Sequence, residues 1–268
     1  MKRFALFLFV AAAFSTASFA QTARVKYIST STDEINTEAL QQEQPVELTR
    51  ILMAGYNSIC LPLSLTAEQL QAAAPGVRVE RLAVMKQEGS AVCLYFVDCT
   101  ADGIEAGIPY LIFSPKTQIL RAKTTNAAAV DTELKDITLS DKAGNRVTFN
   151  SSWKSLKTFG RFGIPAKQDK EVLESILIRT DGEQTFLPTR CGFSWEAQAP
   201  TASELQIKHA RALDEVVTDV EELKAANALV DIYDANGLPV RKNVNINQAL
   251  KTLPRGIYYV GNEKFMVK

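Results

Sequence analysis

The chain of 268 residues contains one histidine, and that scarcity excludes several kinds of site. A Ser-His-Asp or Cys-His triad would depend on His209, which lies in the polar segment LQIKHARA, away from any strand-turn-helix elbow. A surface or packing role is therefore favoured for this side chain. Structural zinc is disfavoured, because no Cys-x-x-Cys pair accompanies the histidine. The segment 160–163, GRFG, lacks the Lys-Ser/Thr ending of a phosphate loop. We expect no enzyme activity and no cofactor.

The chain also lacks an excess of charge of either sign. Thirty Lys and Arg residues balance thirty Asp and Glu residues. Removal of residues 1–20 would delete two basic residues and no acidic one, so 28 minus 30 leaves a formal charge of −2. Affinity for nucleic acids comes mostly from neutralising phosphates, so we expect no nucleic-acid partner.

Long apolar runs are absent except at the N-terminus. Basic residues 2–3 precede the apolar run 4–14, and residues 18–20, SFA, place small side chains where a signal peptidase inspects them. The run is shorter than the ~20 residues that a spanning helix needs. We expect a signal peptide over residues 1–20, with an N-terminal anchor as the alternative and no transmembrane segment in the mature chain. The protein should be exported to the cell surface or secreted, with the periplasm as the alternative.

The four cysteines are Cys60, Cys93, Cys99 and Cys191. An exported chain meets an oxidising compartment, where disulfides form. Cys93 and Cys99 lie in one predicted strand, and at ~3.3 Å per residue they are ~20 Å apart, beyond bridging distance. Any disulfide should therefore use Cys60 or Cys191. Four buried free thiols are the alternative.

Short apolar or alternating runs separated by turn residues predict a mainly β fold, with a β-sandwich body. Turn residues predict hairpins at Asp181-Gly182 and around Gly144. One helix is predicted over Thr66–Ala74, with Thr66 as N-cap and Gln69 completing a capping box. The predicted strands are Val25–Ser29, Val46–Met53, Tyr56–Pro62, Val77–Lys86, Ala91–Asp98, Tyr110–Phe113, Ile137–Leu139, Arg146–Asn150, Trp153–Phe159, Ser175–Arg179, Gln184–Leu187 and Arg190–Trp195.

The chain changes character after the predicted body, residues 21–200. Residues 201–227 are rich in Ala and Glu and are interpreted as a connector, with a strand at Glu204–Lys208. Residues 228–268 hold four predicted strands and two tight turns, a core too small to stand alone. We expect this small C-terminal β-module to pack on a neighbour or to be held during transit.

Three segments follow one another in the C-terminal module: 232–237, IYDANG, 253–260, LPRGIYYV, and 266–268, MVK. They resemble the sorting domain of type IX secretion cargo, a family with a strand ending in YD-x-x-G, then an L-x-x-G-x-Y strand, then a closing strand with basic ends. The resemblance covers the last 41 residues and implies that secretion machinery is a partner; the Pro-Asn-Pro strand usual upstream is absent from 216–226. The matching residues are Tyr233, Asp234, Gly237, Leu253, Gly256, Tyr258, Val267 and Lys268.

A second resemblance lies in the body. The segments 57–62, NSICLP, 105–112, EAGIPYLI, and 190–193, RCGF, are similar to a pattern in secreted β-rich surface proteins that often carry such a tail. It implies a β-sandwich and an envelope setting, and no activity.

Two candidate sites remain. Asp98, Asp102 and Glu105 form a local acidic cluster that can supply calcium ligands, although the spacing is not that of an EF-hand and a solvated loop is favoured. Trp153, Phe159 and Trp195 can form a stacking platform for a glycan or a protein ligand, although core packing is favoured for aromatics at this density.

Together these observations predict a non-enzymatic secreted or surface protein with an adhesive, binding or envelope-structural role. The alternatives are a secreted hydrolase that uses carboxylates on glycan or peptide, and a periplasmic binding module.

Overall fold

The computed structural model describes residues 26–30, 34–42, 45–141, 144–157, 160–164, 177–179, 185–196, 204–213, 216, 224, 229–260 and 263–267. The expected signal peptide, the predicted turn at 181–182, Phe159 and Lys268 lie outside these residues. The fold is mainly β, as the sequence predicted.

Nineteen strands are present in the described chain. They are β1 Lys26–Ser29, β2 Val46–Leu52, β3 Gly55–Ile59, β4 Arg78–Glu88, β5 Ala91–Asp98, β6 Tyr110–Ser114, β7 Gln118–Thr124, β8 Ile137–Ser140, β9 Arg146–Ser151, β10 Leu156–Lys157, β11 Phe162–Gly163, β12 Ile178–Arg179, β13 Thr185–Phe186, β14 Cys191–Glu196, β15 Glu204–Ala210, β16 Leu229–Asp234, β17 Pro239–Asn245, β18 Gly256–Val260 and β19 Glu263–Val267.

Within the described residues, three short α-helices lie among the strands: α1 Thr37–Gln42, α2 Ala67–Ala73 and α3 Ile246–Thr252. The predicted helix α2 is confirmed with its capping box. The Thr66 hydroxyl accepts from the Gln69 amide N–H at 3.2 Å, and the Gln69 side chain accepts from the Thr66 N–H at 2.9 Å. These bonds satisfy two amide donors that a helix start leaves free.

The body is built around a five-stranded sheet in the order β15-β5-β4-β6-β3, called here the central sheet. One face packs against a second five-stranded sheet, β12-β11-β14-β9-β8. Phe96 of the central sheet lies edge-on to Phe149 and Phe193 of the second sheet, with ring centroids 5.6 and 6.2 Å apart. These contacts form the interior of the predicted sandwich.

A three-stranded sheet, β1-β2-β7, closes the same core. Its inward side chains include Leu48, Leu52 and Leu120, all fully buried. The hairpin predicted around Gly144 is confirmed as the antiparallel pair β8–β9. The strands on either side of residues 181–182 do not pair with each other as the predicted hairpin requires. Instead, β12 pairs with β11 and β13 pairs with β10.

The C-terminal module forms a four-stranded sheet, β17-β16-β18-β19, with α3 beside it. Ile232 and Val260 of this module pack with Ala83, Val84 and Val97 of the central sheet in a second buried cluster. The central sheet is therefore covered on both faces. That double cover explains why β4 is buried without interruption from Val79 to Met85, where the sequence shows only imperfect alternation.

The four cysteines are free and buried, which is the alternative that the sequence left beside a single disulfide. Cys93 lies inside β5 and Cys99 follows its end, consistent with their predicted separation. No helix in the described ranges is long and apolar enough to cross a lipid bilayer.

Candidate functional site

A cleft of about 590 Å³ opens between the body and the C-terminal module. Body residues between 64 and 129 supply its walls, and Lys242 and Asn243 of the module supply the remaining side. The uncharged polar residues that line it are Ser64, Thr66, Gln69, Tyr110, Thr124, Asn126 and Asn243. The charged ones are Arg81, Asp102, Glu105 and Lys242. Its volume lies within the range of small-ligand sites.

One wall is fixed by two chain segments that bond to each other. The Leu65 N–H donates to the Ile104 carbonyl and the Ile104 N–H donates to the Leu65 carbonyl, both at 2.8 Å. Gly103 beside them has φ +80°, and a Cβ there would overlap the Leu65 carbonyl oxygen. Glycine at 103 therefore allows the loop after β5 to lie against the entry to α2.

The loop 105–106 is held by two side-chain hydroxyls. The Glu105 N–H donates to the Tyr110 hydroxyl at 3.2 Å, and the Ala106 N–H donates to the Ser64 hydroxyl at 2.9 Å. Tyr110 is 4% exposed, and burial raises its pKa well above the usual range, so the phenol stays protonated. The loop that carries Glu105 is thus positioned by neutral groups.

The module is attached to the body at the cleft by two ion pairs. Arg81 of β4 lies 3.1 Å from the Asp231 carboxylate of β16, and Lys242 of β17 lies 3.2 Å from Asp102. The Asn243 N–H also donates to Asp231 at 2.8 Å, with Asn243 at φ +49°. Asparagine tolerates this left-handed conformation better than most residues. Asp231 therefore links Arg81 to the part of β17 that presents Asn243.

The charged groups that line the cleft all take part in ion pairs. Burial lowers the pKa of Arg81. The charge and hydrogen bond of Asp231 raise this pKa by more, so the net shift is upward. The bond to Asp102 raises the pKa of Lys242. Glu105 lies 3.1 Å from Lys135. Burial raises the pKa of the Cys99 thiol to about 12. The cleft therefore presents paired charges, with Lys135 shared between Glu105 and Asp131, together with a protonated thiol.

Two buried polar atoms at the cleft have no hydrogen-bond partner within the described part of the chain. They are Nε of Arg81, a donor, and Oδ1 of Asn243, an acceptor. Both residues contact the same carboxylate oxygen of Asp231. An unpaired donor and an unpaired acceptor are thus brought to one end of the cleft, where leaving each unpaired is costly.

The three candidate calcium ligands are each engaged separately. Asp98 accepts from the Thr100 N–H at 2.8 Å, while Asp102 and Glu105 pair with Lys242 and Lys135. Among the residues that the structure describes, no group of three or more His, Cys, Asp or Glu side chains could hold a metal ion. The contacts place Asp102 and Glu105 in the cleft and leave Asp98 outside its lining.

The described candidate aromatics lie against the core. Trp153 is 8% exposed, and its indole N–H donates to the Thr132 carbonyl at 2.7 Å, so it is a core residue rather than an exposed platform. Trp195 is half-buried and packs beside Phe162, with ring centroids 5.8 Å apart. Phe159 lies outside the described residues.

The residues of the sorting-like pattern hold the turns of the C-terminal module. Asp234 accepts from the Asn236 and Leu238 N–H groups at 2.8 and 2.9 Å, and Gly237 follows with φ +77°. This geometry is a side-chain-stabilised turn that needs Asp first and Gly fourth. Tyr233 and Val267 lie in β16 and β19, and Leu253 caps α3.

Packing explains why the L-x-x-G-x-Y segment has Gly and Tyr at these positions. Tyr258 is 7% exposed and donates its hydroxyl to the Pro254 carbonyl at 3.0 Å. A Cβ on Gly256 would lie 3.3 Å from the Tyr258 ring, so glycine allows the ring to fold back over the strand start.

One polar cluster was missed by sequence reasoning. His209 lies in β15, in the strand expected at 204–208, and its Nδ1 is 2.5 Å from a Glu80 carboxylate oxygen. Its ring stacks on Tyr56 with centroids 4.1 Å apart, and the Tyr56 hydroxyl donates to Glu80 at 3.0 Å. Three strands supply these side chains, so no local motif signals them. His209 is a packed and hydrogen-bonded residue, in agreement with the role favoured for it.

The comparisons with known proteins place this chain in no family: no family model, no curated protein and no solved structure matches it.

Proposed function

We propose that the protein is an exported β-sandwich protein of the cell surface that binds a ligand, without catalysis, in the cleft between its body and its C-terminal module. The observation that carries this proposal is the construction of the cleft. Arg81, Asp102 and Lys242 line it, and each is neutralised by a partner across or beside it. A few polar groups at such a site fix the orientation of a bound ligand.

The carboxylates of the cleft favour binding over hydrolysis. Glycoside hydrolysis needs one carboxyl group that holds a proton and a second that is ionised and free to attack or to activate water. Asp102 is paired with Lys242 at 3.2 Å and Glu105 with Lys135 at 3.1 Å. Both carboxylates are held in ion pairs, so neither is free to attack or to activate water.

The export part of the proposal rests on the N-terminal signal pattern and the sorting-like tail. The outer face of the β18–β19 pair exposes Ile257 and Met266, which lie opposite each other and are 40% and 65% exposed. Exposed apolar side chains paired on a sheet edge give secretion machinery a surface to contact. In this proposal the module serves as an address and as one wall of the cleft.

Two measurements test the proposal. Protease shaving of intact producing cells should remove the protein from the surface, and a protein protected until the cells are lysed would refute surface exposure. The mature chain should show no turnover in a screen of glycosidase and peptidase substrates. Turnover that is abolished in Asp102→Asn or Glu105→Gln would replace the binding role with the hydrolase alternative.

A further inference from the structure

We propose that the ligand of the cleft is a neutral, hydroxyl-rich molecule with the chemistry of an uncharged oligosaccharide; this inference rests on the proposed binding function.

A charged ligand would meet groups already engaged in ion pairs, although Glu105 shares its cation Lys135 with Asp131. The two cationic lining residues are Arg81 and Lys242, and the two anionic ones are Asp102 and Glu105. Each has an opposite charge within 3.2 Å. An anion or a cation would have to compete with an existing pair and leave one partner desolvated. The lining therefore selects against strongly charged ligands.

Apolar ligands are disfavoured by two amide side chains in the lining. Gln69 and Asn126 use their side-chain carbonyl oxygens inside the protein, accepting from Thr66 and Ala128 at 2.9 and 3.0 Å. Within the described part of the chain, neither side-chain NH₂ group donates a hydrogen bond to another residue. An apolar ligand would cover these donors without pairing them, which costs free energy.

The hydroxyl groups of a ligand match the hydrogen-bonding groups of the cleft that have no protein partner. A hydroxyl accepts two hydrogen bonds and donates one. The free amide donors of Gln69 and Asn126 suit its lone pairs, and the second oxygens of Asp102 and Glu105 suit its proton. At the module end, Nε of Arg81 and Oδ1 of Asn243 are a buried donor and acceptor that a small local shift of β17 would open to one hydroxyl. A sugar presents several hydroxyls at once.

The test uses isosteric amide-to-carboxylate variants in the mature full-length chain. Gln69→Glu and Asn126→Asp keep the oxygen that caps the local backbone and replace the free donor by a negative charge. Gln248→Glu is the matched control, because Gln248 is exposed and occupies the third position of α3, as Gln69 does in α2. Binding is measured on an array of neutral oligosaccharides beside sialylated and sulfated ones, and then by calorimetry.

The expected result is binding to one or more neutral oligosaccharides, weakened at least about tenfold by Gln69→Glu and by Asn126→Asp and unchanged by Gln248→Glu. Melting temperatures of all three variants should match the parent. Absence of neutral binders overturns the inference, as does binding that both cleft variants leave intact. Binding to acidic glycans alone, lost in Lys242→Met, overturns the ligand class and leaves the cleft as a binding site. Catalytic turnover would instead overturn the proposed function.

Discussion

Arg81 of the central sheet and Asp231 of the C-terminal module form an ion pair with 3.1 Å between Nη1 and Oδ1, and their side chains are 9% and 17% exposed. Neutralising one member leaves the charge of the other unpaired and with little access to water. We expect Asp231→Asn to lower the free energy of unfolding by about 3–5 kcal/mol. The measurement is urea unfolding followed by circular dichroism.

The double variant Arg81→Met with Asp231→Asn supplies the control for that ion pair. It removes both charges and keeps the side-chain oxygen that accepts from the Asn243 N–H. We expect it to be more stable than Asp231→Asn alone, because the buried charge is gone. A double variant as unstable as the sum of its single changes would show that the two residues do not interact.

The C-terminal module should unfold together with the body. Ile232 is fully buried against the central sheet, so Ile232→Ala should cost about 2–5 kcal/mol. Ile257 of the same module is 40% exposed, and Ile257→Ala should cost less than about 1 kcal/mol. Both variants should melt in a single transition, measured by scanning calorimetry. A separate low-temperature transition in Ile232→Ala would indicate that the module serves only as an export signal and does not stabilise the body.

Glycines 103 and 237 share a left-handed backbone but differ in surroundings. Gly237, at φ +77°, has open space where a Cβ would lie, so Gly237→Ala should cost only the backbone strain of about 1–2 kcal/mol. Gly103, at φ +80°, faces the Leu65 carbonyl, so Gly103→Ala should cost more and displace the cleft wall. Hydrogen exchange at residues 65 and 104 reports that displacement. Equal costs for the two variants would contradict the close approach.

The buried thiols should make the protein sensitive to alkaline pH. Burial raises the pKa of both Cys60 and Cys99 to about 12. In the unfolded chain these thiols ionise near pH 8.5, so between about pH 9 and 12 the unfolded state binds fewer protons and stability falls as pH rises. The double variant Cys60→Ala with Cys99→Ala should show a shallower decline of unfolding free energy over this range. Equal slopes in parent and variant would refute the assignment.

The same burial predicts slow alkylation of the native thiols. Iodoacetamide at pH 8 should label Cys60, Cys99 and Cys191 only after denaturant is added, because labelling requires an exposed thiolate. Mass spectrometry counts the adducts. Rapid native labelling of these three sites would show that the core opens readily.

Sequence reasoning succeeded where structure depends on near neighbours. The strand Ala91–Asp98 has the predicted bounds, because an unbroken apolar and β-branched run ends at polar residues. The capping box of α2 needs only Thr66 and Gln69, three residues apart. The turn at Asp234 likewise uses one side chain and the amides that follow it.

Sequence reasoning missed elements in which the local pattern of apolar residues is weak. The strand β7, QILRAKT, alternates small or apolar inward residues with Arg121 and Lys123, and its inward set is only Leu120, Ala122 and Thr124. The helix α3 was not predicted because its first turn, with Asn245 as N-cap, resembles the loop residues around it. In both cases burial by distant strands supplies the stability that the local sequence lacks.

The sequence by itself determined the mainly β class, the capped helix and the turn chemistry of the tail, because those features arise from side chains a few residues apart. Only the tertiary structure decided that the tail covers a face of the central sheet and completes a cleft. Lys242 reaches Asp102 across 140 residues of sequence, and Asp231 meets Arg81 from another sheet. Such pairings are selected by which apolar faces must be buried against each other, and a face finds its partner only in the folded chain.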